Sequence, residues 1–245
     1  MEIYNQSKIY QQPFFVYAHR GVPYLEKENT LNSFKKAIEL NYDGIELDIM
    51  STKDRQLIVH HDLTIDLDSN NKEIPISDIY YNSLKKKKIP LLIEVLSSIG
   101  HQTKINIEIK NQGKISMFVI DELIKQLKEF NLIDNIVISS FNPFIIKKSK
   151  KTDDRFLTAW IWGKKNFKFY NLYYIILKYF NPDAIHIYRG IASEEVIKKT
   201  HNKGLKILAY TVNDEKQLRK LISKNIDGVF TDNPTILSLA KEINP

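Results

Sequence analysis

Carboxylates, imidazoles and cations stand in short, closely spaced groups in the first half of the chain. His19, Arg20 and Gly21 follow one another directly. The Arg20 guanidinium stays charged at any working pH and matches phosphate oxygens in shape, and the glycine beside it lets the backbone flex. Glu46 and Asp48 lie two residues apart, so on an extended segment both point to one side. Two carboxylates aimed into an enclosed space repel unless a cation sits between them, and a hard divalent ion is the economical answer. The apolar run Leu57-Ile58-Val59 leads into His60, His61 and Asp62, which brings in a second imidazole. Glu108 and Lys110 repeat the two-residue spacing with a third carboxylate and an ammonium. Each group alone has a plain structural explanation, such as an exposed Glu-x-Asp, a surface ion pair or a turn. Together they place charge at successive strand ends, where chance alone does not put it.

The elements that carry these groups can be read from periodicity. Apolar, β-rich runs recur at 14–18, 44–50, 104–109, 135–139, 156–162, 183–188, 206–212 and 228–231. Between them lie segments with helical spacing, for example Ile120, Leu123, Ile124 and Leu127, or Leu218, Leu221 and Ile222. Strands apolar on both faces that alternate with amphipathic helices indicate parallel βαβ units. About eight units in a chain of this length is the arithmetic of a closed (β/α)8 TIM barrel. An open doubly wound sheet usually has fewer strands and a Gly-rich first turn, which is missing. Asn41-Tyr42-Asp43-Gly44 and Asn225-Ile226-Asp227-Gly228 each end a helix and open a strand, with glycine available for left-handed backbone angles, and Asn202-Lys203-Gly204 does the same one unit earlier. Asn213 and Asn233 stand where helix caps are needed, the latter with Pro234 at the first turn. With no Pro/Gly/Ser linker, residues 1–245 read as one domain. The stretch 62–89 is too long and polar for an ordinary βα loop and reads as a short insertion after the second strand. Its run Lys85–Lys88 reads as a solvated face.

The chain has 245 residues, 43% of them hydrophobic and 11% aromatic, which excludes a disordered protein. Lys and Arg number 36 against 29 Asp and Glu, a surplus of +7 that suits nucleic acid, a membrane surface or an anionic small molecule, or is spread over helix exteriors. There is no cysteine, so disulfides, thiolate metal sites and a cysteine nucleophile are out. The start, Met1-Glu2-Ile3-Tyr4-Asn5-Gln6, lacks a basic end followed by an apolar run, and no stretch approaches the roughly 18 apolar residues of a membrane span. A cytoplasmic protein is the expectation.

Taken in order, His19-Arg20-Gly21, Glu28-Asn29-Thr30, Glu46-Leu47-Asp48, His61-Asp62 and Glu108-Ile109-Lys110 resemble the glycerophosphodiester phosphodiesterase family, a TIM-barrel family. Ser140-Phe141-Asn142, Thr211-Val212-Asn213 and Asp227-Gly228-Val229-Phe230-Thr231-Asp232-Asn233-Pro234 extend the resemblance, which runs from about 16 to about 234. The resemblance implies that Glu46, Asp48 and Glu108 bind one divalent ion, Ca²⁺ or Mg²⁺. It implies that His19 and His61 are the catalytic acid/base pair and that Arg20 and Lys110 neutralise an anionic phosphodiester, hydrolysed to sn-glycerol 3-phosphate and an alcohol. Glu28 is a supporting candidate that orients Arg20 or reaches the metal. Asp62 either holds His61 or begins the insertion, and Thr30 or Asn29 caps the first helix.

Two departures from the family pattern bear on substrate. Leu63-Thr64-Ile65-Asp66-Leu67-Asp68 replaces the usual arginine and threonines after His-Asp, and Tyr210 stands where tryptophan is usual before Thr-Val-Asn. The segment 164–180 mixes lysines with aromatics and offers a surface for peripheral membrane contact, for packing on the sheet, or for a second copy in a homodimer. The alternatives are a lysophospholipase D or a phosphodiesterase of a glycerophosphate polymer, and then a non-catalytic binding protein on the same barrel, which has no need of two imidazoles. A nucleic-acid binder is excluded as a leading reading, because most aromatics sit in strand-like runs rather than on one basic stripe.

Overall fold

In the computed structural model, residues 9–10, 12–68, 72–164 and 173–243 are described. Eight parallel strands among them form one sheet: β1 (Phe15–Ala18), β2 (Gly44–Ser51), β6 (Lys104–Ile109), β7 (Ile136–Ser140), β8 (Leu157–Trp162), β9 (Ala184–Tyr188), β10 (Lys206–Tyr210) and β11 (Gly228–Thr231). The sheet closes because β1 pairs with β11 on one side and with β2 on the other. Helices return the chain between strands: α1 (Leu31–Glu39), α3 (Leu92–Ile99), α4 (Ile115–Glu129), α5 (Pro143–Thr152), α6 (Tyr173–Phe180), α7 (Glu194–His201) and α8 (Glu215–Ile222), with α9 (Pro234–Ile243) after the last strand. This is the closed (β/α)8 barrel that the spacing indicates. Met1 to Gln6 and residues 165–172 of the lysine- and aromatic-rich 164–180 segment lie outside the described residues. Among the described residues no helix is long and apolar enough to cross a membrane.

The period-two rule sorts each strand into two faces. Val16, Ala18, Ile45, Leu47, Ile49, Ile105, Ile107 and Ile109 pack outward with the helices in one continuous core, joined by Ile120, Leu123, Ile124 and Leu127 of α4. Phe15, Tyr17, Val137, Leu157, Ala159, Ala184, Leu208 and Phe230 face inward and fill the barrel together with Ile9 and Tyr10. On β2 and β6 the inward positions are Glu46, Asp48, Asn106 and Glu108, in register as Glu46 with Asn106 and Asp48 with Glu108.

Strand entry uses a repeated device. Asp43, Asp183 and Asp227 each precede a strand, and each accepts the backbone N–H of the second residue of another strand: Val16, Thr158 and Ile207, at 2.7, 2.7 and 2.8 Å. The two Asn-x-Asp-Gly turns work differently from the sequence expectation. Asn41 and Asn225 take the left-handed angles (φ 59° and 62°), while Gly44 and Gly228 do not. Those glycines are needed for space, since a Cβ on Gly44 would lie 2.5 Å from the Tyr17 ring and one on Gly228 2.2 Å from the Phe15 carbonyl oxygen. Gly204 does adopt φ +71°.

The excursion after β2 begins earlier than residue 62. The chain turns at 52–56 and runs back as β3 (Leu57–Val59), antiparallel to the top of β2, before a hairpin of β4 (Thr64–Asp66) and β5 (Glu73–Pro75) and a short helix α2 (Tyr81–Leu84). It has its own small core of Met50, Ile58, Ile76, Ile79, Leu84 and Ile89. Lys85, Lys86 and Lys88 are exposed, as expected of a solvated face.

The two kinds of glycine can be separated by urea denaturation. Gly204→Ala meets open space and only the left-handed penalty, so it should cost about 1–2 kcal/mol. Gly228→Ala overlaps backbone and should cost clearly more. Equal losses would show that space is not what Gly228 provides.

Candidate active site

The polar groups singled out in the sequence converge at the C-terminal mouth of the barrel, where loops after the strands meet. His19, Arg20, Glu46, His61, Glu108 and Lys110 line one cleft of about 200 Å³, and Asp48 lies directly behind, 1% exposed. Glu46, Asp48 and Glu108 offer one oxygen each within 4.8 Å of one another. That spread suits oxygen ligands at about 2.1 Å around Mg²⁺ or about 2.4 Å around Ca²⁺, and an all-carboxylate set is the donor type those hard ions take.

The charges respond to this crowding. Burial, then the neighbouring Asp48 carboxylate, pushes Glu46 up to about 8. Burial and Asp48 likewise raise Glu108. Burial acts the same way on Asp48, but Lys110 and Arg20 outweigh it and hold Asp48 below the usual carboxylate range. Lys110 Nζ reaches Glu108 Oε1 at 2.9 Å and Asp48 Oδ1 at 3.2 Å. Two carboxylates thus have a raised affinity for protons, and a cation that replaces those protons relieves the repulsion.

Arg20 is held from three sides. Its backbone sits at φ 55°, which turns its N–H toward Glu46 Oε2 at 2.9 Å. Its Nη1 donates to both oxygens of Glu28 at 3.1 and 3.2 Å, and its Nε lies 3.3 Å from Asp48 Oδ2. That last approach is an ion pair by distance, and Nε makes no aligned hydrogen bond among the described residues. Glu28 therefore orients Arg20, one of the two jobs considered for it. Asn29, also at φ 55°, donates from Nδ2 to Asp48 Oδ2 at 3.0 Å, and capping of α1 falls to Thr30, whose hydroxyl accepts from Ser33 N–H.

The two imidazoles are held by different means. His19 Nδ1 donates to Asp232 Oδ1 at 2.7 Å, and its Nε2 lies 4.0 Å from Glu46. Burial opposes the charged ring, yet Asp232 and Glu46 win and its pKa lies above the ordinary histidine value. His61 Nδ1 donates to Asp62 Oδ1 at 2.8 Å, so Asp62 holds His61 as well as leading into the hairpin. Burial and the Lys110 charge keep His61 below the ordinary value. The ring is brought to the cleft by β3, whose return places His60 N–H on the Asp48 carbonyl at 3.0 Å.

Several site residues escaped the sequence reading. Asp232 appeared only within a motif, yet it positions His19. Asn213 does not cap a helix: Asp214 caps α8 by accepting from Gln217 N–H, and Asn213 Nδ2 instead donates to Asp232 Oδ2 at 2.6 Å. Asn106 and His186 line the cleft floor, and Phe141, Ile161, Tyr210 and Phe230 make its apolar wall. Asn106 could have been found by stepping the inward face of β6 back from Glu108. His186 could have been found as the one polar residue of the run Ala184-Ile185-His186-Ile187.

Comparison with known proteins agrees with this architecture. Residues 19–236 match the Glycerophosphoryl diester phosphodiesterase family. The chain is 30% identical over 242 residues to a glycerophosphodiester phosphodiesterase of Caldanaerobacter subterraneus subsp. tengcongensis, covering 93% of this chain and 98% of that one. It is 30% identical to a protein of the same name from Bacillus altitudinis, over 89% of this chain and 94% of that one. A phosphodiesterase from Oleispira antarctica, solved in complex with the product sn-glycerol-3-phosphate, superposes with a TM-score of 0.83 at 24% identity, over 93% of this chain and 96% of that one.

Cation binding can be read from thermal melting. At a hundred times the dissociation constant, Ca²⁺ or Mg²⁺ should raise the midpoint by about 5–10 °C. Glu46→Gln removes one crowded carboxylate, so its cation-free midpoint should equal or exceed the wild type's while the increment disappears. An increment that survives in Glu46→Gln would remove that residue from the ligand set.

Proposed function

This chain belongs to the glycerophosphoryl diester phosphodiesterase family, and we propose that it hydrolyses glycerophosphodiesters to sn-glycerol 3-phosphate and an alcohol with two-histidine acid/base catalysis and one divalent ion, Ca²⁺ or Mg²⁺. The observation that carries this reading is the convergence of both imidazoles, Arg20, Lys110 and the carboxylate cluster on one cleft.

A phosphodiester is anionic and repels an attacking oxygen, so the site must first offset charge on the phosphoryl oxygens. Arg20 and Lys110 do this from this chain's own residues, the guanidinium fixed by Glu28 and the ammonium by Glu108 and Asp48. Glu46, Asp48 and Glu108 hold the ion, which when bound supplies Lewis-acid stabilisation of the developing charge. One imidazole takes the proton from the attacking oxygen while the other gives one to the leaving alcohol. If the glycerol's own neighbouring hydroxyl attacks, the product is a cyclic phosphate that water opens, and the two rings exchange roles in that second step. Their opposite shifts, His19 upward and His61 downward, suit a pair in which one ring carries the proton and the other is free to accept it. The Nδ1 contact of each ring, to Asp232 for His19 and to Asp62 for His61, leaves Nε2 as the working nitrogen.

The test is a panel of glycerophosphocholine, glycerophosphoethanolamine and bis(glycero)phosphate assayed with Ca²⁺, Mg²⁺ or Mn²⁺, following released sn-glycerol 3-phosphate. His19→Ala and His61→Ala should each lower kcat by roughly 10²–10⁴-fold while product still binds. Near-normal turnover in either variant, or activity indifferent to a chelator, would overturn the assignment. Asp232→Asn removes the carboxylate that raises His19, so the limb of the pH–rate profile set by His19 should move to lower pH. A profile that does not move would mean Asp232 leaves His19 untouched.

A further inference from the structure

A second cavity opens between helix α8 and the short turn Arg189–Ile191 that follows β9. It measures about 550 Å³ and shares no lining residue with the catalytic cleft. Gln217, Lys220, Leu221 and Lys224 fall at i, i+3, i+4 and i+7, so α8 and the turn after it present one face to this space. Arg189 enters from the other side and is half-buried. Its Nη1 donates to the Thr211 carbonyl at 2.8 Å, and its Cζ stands 5.4 Å from the centre of the Tyr188 ring, so the guanidinium has a fixed place. Lys224 is half-buried too and donates to the Ala192 carbonyl at 2.8 Å.

Three cations and no carboxylate line the cavity. Elsewhere on the barrel, half-buried lysines are matched, Lys150 with Asp183 and Lys206 with Asp227. Among the described residues Arg189, Lys220 and Lys224 have no acidic partner, and Glu215 of α8 is taken by Arg219. Like charges four residues apart weaken a helix, so Lys220 and Lys224 on one face are a cost that the fold leaves standing. We propose that this cavity is a second anion site, which takes a phosphate dianion, either free or as a small monoester. A tetrahedral anion offers oxygens in several directions, so donors arriving from the turn after β9 and from α8 can each meet one. The guanidinium fork matches phosphate oxygens in shape, and the Gln217 carboxamide adds a neutral donor. A flat carboxylate, with two oxygens and one charge, meets fewer of these groups. Tyr188, Ile191 and Leu221 leave an apolar side for the carbon part of an ester. The site stands apart from the hydrolysis proposed above, and its test needs no turnover.

Backbone amide resonances resolve the two sites in one titration. Inorganic phosphate, sn-glycerol 3-phosphate and acetate are added at constant ionic strength with Mg²⁺ present. Gly190, Ala192 and Lys220 report on the cavity, and Arg20 and Gly21 on the cleft. The cavity amides should shift and saturate with either phosphate, with a dissociation constant of their own, and should not saturate with acetate. Tighter binding of sn-glycerol 3-phosphate assigns the site to the monoester, and tighter binding of inorganic phosphate assigns it to the free ion. Lys220→Gln combined with Lys224→Gln should raise the cavity's dissociation constant about tenfold or more, the worth of a lost charge-assisted hydrogen bond, while the cleft's constant stays at its wild-type value. Arg189→Lys keeps the charge without the fork and should fall between. Lys220 is exposed, so Lys220→Glu alone carries the test if the double variant does not fold. Cavity amides that fail to saturate with either phosphate, respond equally to acetate, or keep their constant in the variants would overturn the inference.

Discussion

Three carboxylates buried at one height of a barrel repel one another, and much of the surrounding structure answers that repulsion. Withdrawing charges from water without compensation costs several kcal/mol for each ion. Here Lys110 reaches Asp48 and Glu108, and Arg20 approaches Asp48 while its backbone N–H reaches Glu46. Arg20 and Asn29 both sit in the left-handed region, which non-glycine residues enter at a cost of order 1–3 kcal/mol. Each uses that conformation to aim a donor at a carboxylate. Even so, Glu46 and Glu108 are pushed toward protonation, so the protein's own cations leave the cluster under-compensated. A core made for stability alone would have apolar side chains at these inward positions.

The barrel was legible because its signal is local. Each strand is a short apolar run, and its period-two faces can be read within five or six residues. Glu46, Asp48, Glu108 and Lys110 stood out for the same reason, being charges on faces that should be apolar. What could not be read depends on distance along the chain. Asp232 and His19 are separated by 213 residues and meet only when β11 closes on β1. Asn213 after a strand has the type and place of a helix cap, and only the adjacent Asp214, taking that task, shows that Asn213 is free for another. Gly44 and Gly228 followed asparagines in turns, so left-handed geometry was the natural reading. Crowding by Tyr17 and Phe15 comes from the neighbouring strand and has no trace in the local sequence. Leu57-Ile58-Val59 was visible as an apolar run, but that it forms a strand antiparallel to β2 was not.

That direction matters for the chemistry. His61 is not carried by a barrel strand. It hangs on β3, which doubles back along the top of β2 and is steadied by the separate core of Met50, Ile58, Ile76, Ile79, Leu84 and Ile89. In the proposed two-histidine reaction the insertion thus carries one of the two imidazoles as well as forming a wall beside the cleft. His61 is the more open ring, its side chain 32% exposed against 18% for His19, and its partner Asp62 is itself exposed, whereas Asp232 is tied in by Asn213.

The two rings therefore depend on different parts of the fold. His19 needs the last strand to meet the first, because Asp232 follows β11 and Asn213, which follows β10, fixes both Asp232 and Thr231. Closure of the barrel and orientation of this imidazole are one event, and a seam that opened slightly would misdirect the ring before it unfolded the domain. His61 instead needs the insertion core to hold its place over the cleft. The proposed acid/base catalysis by this pair demands both positions at once, since a group displaced by about 1 Å can lose two orders of magnitude in rate. The long excursion after β2 brings His61 to the same cleft that His19 lines from the end of β1.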